Sequence, residues 1–206
     1  MSHFFASALM AASLIAASAN ASSANDNLKT AIFAGGCFWC VEKDFDHVKG
    51  VVETISGYSG GNTNENVTYK NHSADKHREV VKITYDSSKV SYDQLLDIFW
   101  RSVDPTDGGG QFCDRGHSYT TAIYTLNDEQ AKLAAASKAK LEADKILSDP
   151  IQTEIAPAMP FFAAEDYHQD YYKKNPIRYK YYRYACARDE RIERVWGEQA
   201  HKGIMK

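Results

Sequence analysis

The run Gly35-Gly36-Cys37-Phe38-Trp39-Cys40-Val41-Glu42, entered directly from the apolar residues 30–34, constrains this chain more than any other feature. An apolar run, two glycines, and then Phe38, Val41, Phe45 and Val48 on related helical faces predict a strand, a tight turn and a helix. Backbone N–H groups at such a junction point outward and carry partial positive charge. A thiolate at Cys37 is stabilised there, so its pKa is expected to fall and its sulfur to be partly exposed. Two aromatics follow at once and a second thiol, Cys40, stands three residues on. The expectation is sulfur chemistry on an apolar substrate.

The rest of the chain reads as a regular alternation. Strands are predicted over 29–34, 51–56, 79–85, 120–126 and 151–155. Helices are predicted over 37–48, after a Ser91 cap, after an Asn127 cap and over 161–174, with mixed helix and turn over 179–197. Residues 57–62 and the glycine-rich stretch 104–115 read as loops. This order predicts an α+β fold, a two-layer sandwich with a mixed sheet and a ferredoxin-like core with additions. No repeat or linker divides the chain, so residues 22–206 are expected to form one catalytic domain, acting as a monomer.

The formal net charge of −3 gives no case for nucleic-acid binding. Residues 4–17 are apolar and small, and Ala19-Asn20-Ala21 fits a small-residue cleavage site, so residues 1–21 read as a signal peptide. Its first residues carry no Lys or Arg. The expected location is the periplasm or outside the cell, with a cytoplasmic chain bearing an uncleaved extension as the alternative. The remaining apolar runs are far too short to span a membrane. Four cysteines (Cys37, Cys40, Cys113 and Cys186) could pair as structural disulfides. Their sparse spacing and the sizeable core argue instead for redox chemistry. One CxxC without a second close pair is a weak zinc signal, and no metal or cofactor is expected.

Taken with the motifs that follow in order, the chain resembles the peptide methionine sulfoxide reductases of the A type. These motifs are Gly57-Tyr58-Ser59-Gly60-Gly61, Val67-Thr68-Tyr69, His77-Arg78-Glu79-Val80-Val81, Asp104-Pro105-Thr106, Asp114-Arg115-Gly116-His117-Ser118-Tyr119 and Glu165-Asp166-Tyr167-His168-Gln169. The resemblance implies reduction of methionine S-sulfoxide, free or in proteins, with recycling by thioredoxin or a thioredoxin-like dithiol. It implies Cys37 as nucleophile, Glu79 as acid, Tyr69 and Tyr119 as hydroxyl donors to the sulfoxide oxygen, Phe38 and Trp39 as walls of the methyl pocket, and Asp114 as a further polar residue of the site.

The residues suit that chemistry. Reduction needs a thiolate at sulfur and a proton for oxygen. Burial among aromatics would hold Glu79 protonated, and Tyr69 and Tyr119 can donate to the oxygen as charge builds there. Cys37 would end as a sulfenic acid, which condenses with a second thiol to a disulfide that an external dithiol must open. Cys186 and Cys40 both qualify as that second thiol, Cys186 slightly ahead, with Cys113 a distant third. A general thiol–disulfide exchanger built on Cys37 and Cys40 is the competing reading, and a disulfide-stabilised binding module a third. Expression of the whole chain in an exporting host is expected to yield a mature protein beginning at Ser22. Intact-mass measurement checks this, and an unprocessed Met1 terminus would overturn it.

Overall fold

The computed structural model describes residues 27–63 and 65–205. The signal-peptide segment read at residues 1–21 lies outside the described residues. Strand β1 (Leu28–Gly35) runs into helix α1 (Phe38–Asp46), as the sequence predicts. Strands β2 (Val51–Ser59) and β3 (Arg78–Asp86) follow, then helix α2 (Tyr92–Trp100). A small hairpin, β4 (Gly110–Gln111) and β5 (Asp114–Arg115), precedes the 3-10 turn His117–Tyr119 and strand β6 (Thr121–Thr125). Helix α3 (Asp128–Asp144) and the strands β7 (Glu154–Pro157) and β8 (Phe162–Ala163) come next. Three helices end the fold: α4 (Tyr171–Lys174), α5 (Pro176–Ala185) and α6 (Arg188–Trp196).

The central sheet has the order β7-β6-β1-β3-β2-β8. Strands β6, β1, β3 and β2 pair antiparallel throughout, which is the ferredoxin-like core; β7 adds in parallel to β6 and β8 antiparallel to β2. Alternation assigns each strand's side chains to two faces. Ala31, Phe33, Val81, Ile83 and Ile123 face the helices, where they meet Phe45, Leu95, Leu96, Phe99 and Ile192. Ile32, Ala34, Val80, Ala122 and Tyr124 form a smaller cluster on the opposite face. Full burial of a side chain such as Leu95 or Phe99 contributes about 1.5–3 kcal/mol. Both expected caps are present. Ser91 and Gln94 form a reciprocal capping box, and the Asn127 side chain accepts from the Gln130 amide, each worth about 1 kcal/mol. Among the described residues no helix is long and apolar enough to cross a membrane.

Two expectations are corrected. Residues 161–174 do not form one helix: Phe162 and Ala163 pair with Tyr58 and Gly57, and only Tyr171–Lys174 is helical. The reason is hydrogen bonding to the β2 edge. Gln169 accepts from the Ser56 amide at 2.9 Å and donates to the Ser56 carbonyl at 2.9 Å, substituting for a strand. Glu165 accepts from the Tyr58 hydroxyl and the Tyr69 amide. These demands on an otherwise orphaned edge outweigh helical propensity. The segment 57–62, read as loop, continues β2 to Ser59, because the ladder with β3 runs on to Arg78.

Gly57 allows this close approach: a Cβ there would collide with the Phe162 carbonyl and the Phe161 ring. Gly57→Ala is therefore expected to destabilise the fold by about 1–3 kcal/mol through overpacking. Urea unfolding measures it; an unchanged midpoint would contradict the packing described here.

Candidate active site

Cys37 is the residue before the first turn of α1, and the turn that feeds it needs Gly36 at φ 83°. A side chain at Gly36 would meet Gln111 Cβ at 2.6 Å. The outward N–H at the helix start is used differently from the sequence expectation. The Phe38 amide donates to Glu79 Oε2 at 2.9 Å, so the carboxyl from β3 occupies the helix N-terminus.

That placement decides the protonation of the site. Glu79 is 2% exposed. Burial raises its pKa to about 8 against the opposition of the Phe38 amide, and the nearby Asp114 charge adds to the rise. At neutral pH it is largely the protonated acid that the chemistry requires. The Tyr119 hydroxyl also hydrogen-bonds the carboxyl and opposes the rise, whereas His72, with Nε2 at 3.9 Å, has its own pKa lowered by burial.

The expectation of an exposed, acidic Cys37 is corrected. Cys37 is 6% exposed, and burial pushes its thiol well above the ordinary value, helped by the hydrogen bond and charge of Cys40 and by Glu79. The Tyr182 hydroxyl opposes this with a hydrogen bond to the sulfur. The acidic member of the pair is Cys40, which is 1% exposed. Burial pushes its thiol up, but the hydrogen bond from Cys37 and the guanidinium charges of Arg188 and Arg183 bring it down to about 7. The two thiols titrate as a pair, in which the Arg188 and Arg183 charges favour a thiolate at Cys40.

The other sequence candidates converge here. Tyr119 and Tyr69 lie close enough to share a hydrogen bond and to sense the Glu79 and Cys37 charges. Burial first, and then those charges, raises both phenol pKa values, so both are donors. Tyr69 is 41% exposed at the rim, with its amide held by Glu165 at 3.0 Å. Asp114 accepts from the Tyr182 hydroxyl, whose one proton is thereby committed, and the Tyr182 oxygen also lies within hydrogen-bond reach of the Cys37 sulfur. Phe38 is buried against Tyr58 and His168, with centroids 5.8 and 5.0 Å apart. Trp39 stacks on Tyr171 at 3.7 Å and 6°. It meets Tyr182 edge-on and donates from Nε1 to His168 Nδ1 at 3.0 Å.

Several of these partners were not singled out from the sequence. Tyr182 and Tyr171 belong to the tyrosine-rich C-terminal stretch, where composition alone names no one residue. Glu165 and His168 belong to a quoted motif, but no role in the site was assigned to them. His168 orients Trp39, and Glu165 ties together Tyr58 and Tyr69. The sequence leaves Cys186 and Cys40 both open as the second thiol. Cys186 is bonded to Cys113, while Cys37 and Cys40 are free.

A family model for peptide methionine sulfoxide reductase matches residues 29–200. The chain belongs to this family. It is 55% identical to peptide methionine sulfoxide reductase MsrA 2 of Rhizobium meliloti over 174 residues, which is 84% of this chain and 86% of that protein. It is 50% identical to the MsrA of Bacillus subtilis, over 81% of this chain and 95% of that one. Among solved structures, methionine sulfoxide reductase A of Corynebacterium diphtheriae aligns at a TM-score of 0.64 and 35% identity, covering 73% of this chain and 76% of that one. The reduced form of Mxr1 from Saccharomyces cerevisiae aligns at 0.66 and 29% identity, covering 73% and 87%. The chain is thus a methionine sulfoxide reductase of the A type.

In this reductase Glu79 carries a pH signature. An unfolded carboxyl loses its proton near 4.5, whereas the folded one keeps it to about 8. Its contribution to stability is therefore fully present below 4.5 and is lost as pH rises through 8. Glu79→Gln is expected to remove that slope, so the stability of wild type relative to the variant declines between pH 5 and 8. Activity of the variant is expected to fall about 10²–10³-fold with the alkaline limb near pH 8 abolished. Urea unfolding and kcat across pH test both; a variant retaining the limb would remove Glu79 from the acid role.

Proposed function

We propose that the reductase acts on the S epimer of methionine sulfoxide, in proteins or free, through Cys37 as nucleophile and Cys40 as resolving thiol. The observation that carries this reading is the gathering of two free, buried thiols, Cys37 and Cys40, with the buried Glu79 carboxyl that the Phe38 amide holds beside them.

The steps follow from those positions. Cys37 passes its proton toward Cys40 as its sulfur attacks the sulfoxide. Glu79 gives a proton to the sulfoxide oxygen, and the Tyr69 and Tyr119 hydroxyls donate to it as charge accumulates. The S–O bond to the substrate breaks, methionine leaves, and Cys37 carries the oxygen as sulfenic acid. The substrate sulfur has gained two electrons and the Cys37 sulfur has lost two. The Cys40 sulfur then attacks Cys37, water departs with the oxygen, and a Cys37–Cys40 disulfide forms. Thioredoxin or a thioredoxin-like dithiol returns both thiols by exchange. Phe38 and Trp39 offer the methyl and sulfur an apolar surface, where sulfur–aromatic contact adds about 0.3–1.5 kcal/mol. With the N-terminal segment read as a secretion signal, this work is done in the periplasm or outside the cell. The electrons would then come through a membrane or periplasmic relay.

Single turnover without reductant is the test. Wild type should release one methionine per chain from the S epimer, lose two free thiols and yield a Cys37–Cys40 cross-linked peptide. Cys40→Ser should also release one methionine but leave a sulfenic acid that dimedone traps. Turnover of the R epimer alone, or a new disulfide that includes Cys186, would overturn the proposal.

A further inference from the structure

The Cys113–Cys186 disulfide closes a 73-residue separation between the β4–β5 hairpin and the end of α5, and the reaction sequence above does not use it. Its surroundings show what it does. Each cysteine adjoins a non-glycine residue in the left-handed region: Phe112 at φ 57°, before Cys113, and Ala187 at φ 51°, after Cys186. Such residues persist where the surroundings over-determine them. The two turns also meet beyond the sulfurs, because the Arg188 guanidinium lies 4.7 Å over the Phe112 ring. One covalent bond and one cation–π contact thus staple the same pair of turns.

Arg188 is the consequence of that staple. It is 1% exposed and enters the core directly under the active-site turn. Nη1 donates to the Gly35 carbonyl at 3.1 Å, and Nη2 to the Ser102 carbonyl at 2.9 Å. Nε lies 4.0 Å from Asp44, itself fully buried. Gly35 is the last residue of β1, two before Cys37, so the guanidinium grips the backbone that carries the nucleophile. The same disulfide fixes Asp114, next to Cys113, which orients Tyr182 over the Cys37 sulfur. A buried guanidinium bonded to two carbonyls is costly unless a partner charge answers it, and Asp44 is already engaged by Arg183 at 3.0 Å. The further anions within reach are Asp114 and the Cys37–Cys40 pair, whose Cys40 thiol the Arg188 charge draws down.

We infer that Arg188 is a positioning residue for the Cys37–Cys40 pair and that the Cys113–Cys186 disulfide is the clasp that keeps it there. Opening this surface disulfide detunes the buried thiols instead of feeding them electrons. The inference rests on Cys37 and Cys40 being the reacting pair, which peptide mapping after a single turnover checks separately.

The measurement is the pH profile of Cys40 alkylation, resolved by mass spectrometry. The groups that set it are Cys37 and Asp44 from around α1, Glu79 from β3, Tyr179, Tyr182 and Arg183 from α5, and Arg188 from α6. In the wild type with the clasp closed the midpoint is expected near 7. In Cys113→Ser/Cys186→Ser it should rise by about one unit, slowing alkylation and single-turnover disulfide formation at pH 7 by about fivefold. Arg188→Lys keeps a charge but loses the two-carbonyl grip and should move the midpoint the same way. Combining it with the serine pair should add little, because both act through one contact. Should the variants fold poorly, wild type with the surface disulfide open after dithiothreitol, compared with wild type as purified, supplies the same contrast. An unchanged Cys40 profile with multiple turnover lost only when a protein dithiol is the reductant would make the disulfide an electron relay and overturn the clasp. So would additive effects of the two changes.

Discussion

A single buried hydrogen bond, from the Phe38 amide to Glu79, organises everything around it. It joins the first turn of α1 to the start of β3, so the helix that carries the two thiols is docked on the strand that carries the acid. It also allots the helix N-terminus to a carboxyl. Even so, burial wins, and the acid stays protonated to about 8. The thiol beside it, denied that amide and surrounded by protein, is correspondingly weak as an acid until its neighbour accepts the proton.

Charge at the site is arranged in depth. Beside Cys37 are groups that can donate: Glu79, Tyr69 and Tyr119. Below Cys40 are Arg183 and Arg188, whose buried cations favour a thiolate. The proton transfers proposed above, from Cys37 to Cys40 and from Glu79 to the substrate, are both compatible with this arrangement. Around this axis the aromatic wall of Phe38, Trp39 and Tyr171 keeps water from the sulfur. Trp39 is fixed by His168 rather than by packing alone.

The fold's dominant elements were legible because they rest on local periodicity. The strand–glycine–helix junction at Gly35 and Gly36, the capped helices at Ser91 and Asn127, and the alternation of Val81, Ile83 and Tyr85 all appear where the pattern places them. Residues 161–174 were misread for a physical reason: their hydrogen-bonding partners, Ser56 and Tyr58, lie more than a hundred residues earlier in the chain. Of the site, Cys37, Glu79, Tyr69, Tyr119, Phe38, Trp39 and Asp114 stood out by motif, and they do come together. Tyr182 and Arg188 act through contacts with elements distant in sequence, and no spacing marks them; His168 lies in a quoted motif, but its hold on Trp39 is a contact across 129 residues.

From the amino-acid order alone came the α+β core, the family, and the residue types gathered for sulfoxide chemistry, since periodicity and motif spacing are properties of neighbouring residues. Tertiary structure alone decided which thiol is acidic, which cysteines are bonded, and which side chain takes the free amide of α1. Those outcomes depend on burial and on charges brought together from five separate elements, and a dielectric environment exists only once the chain has closed around it.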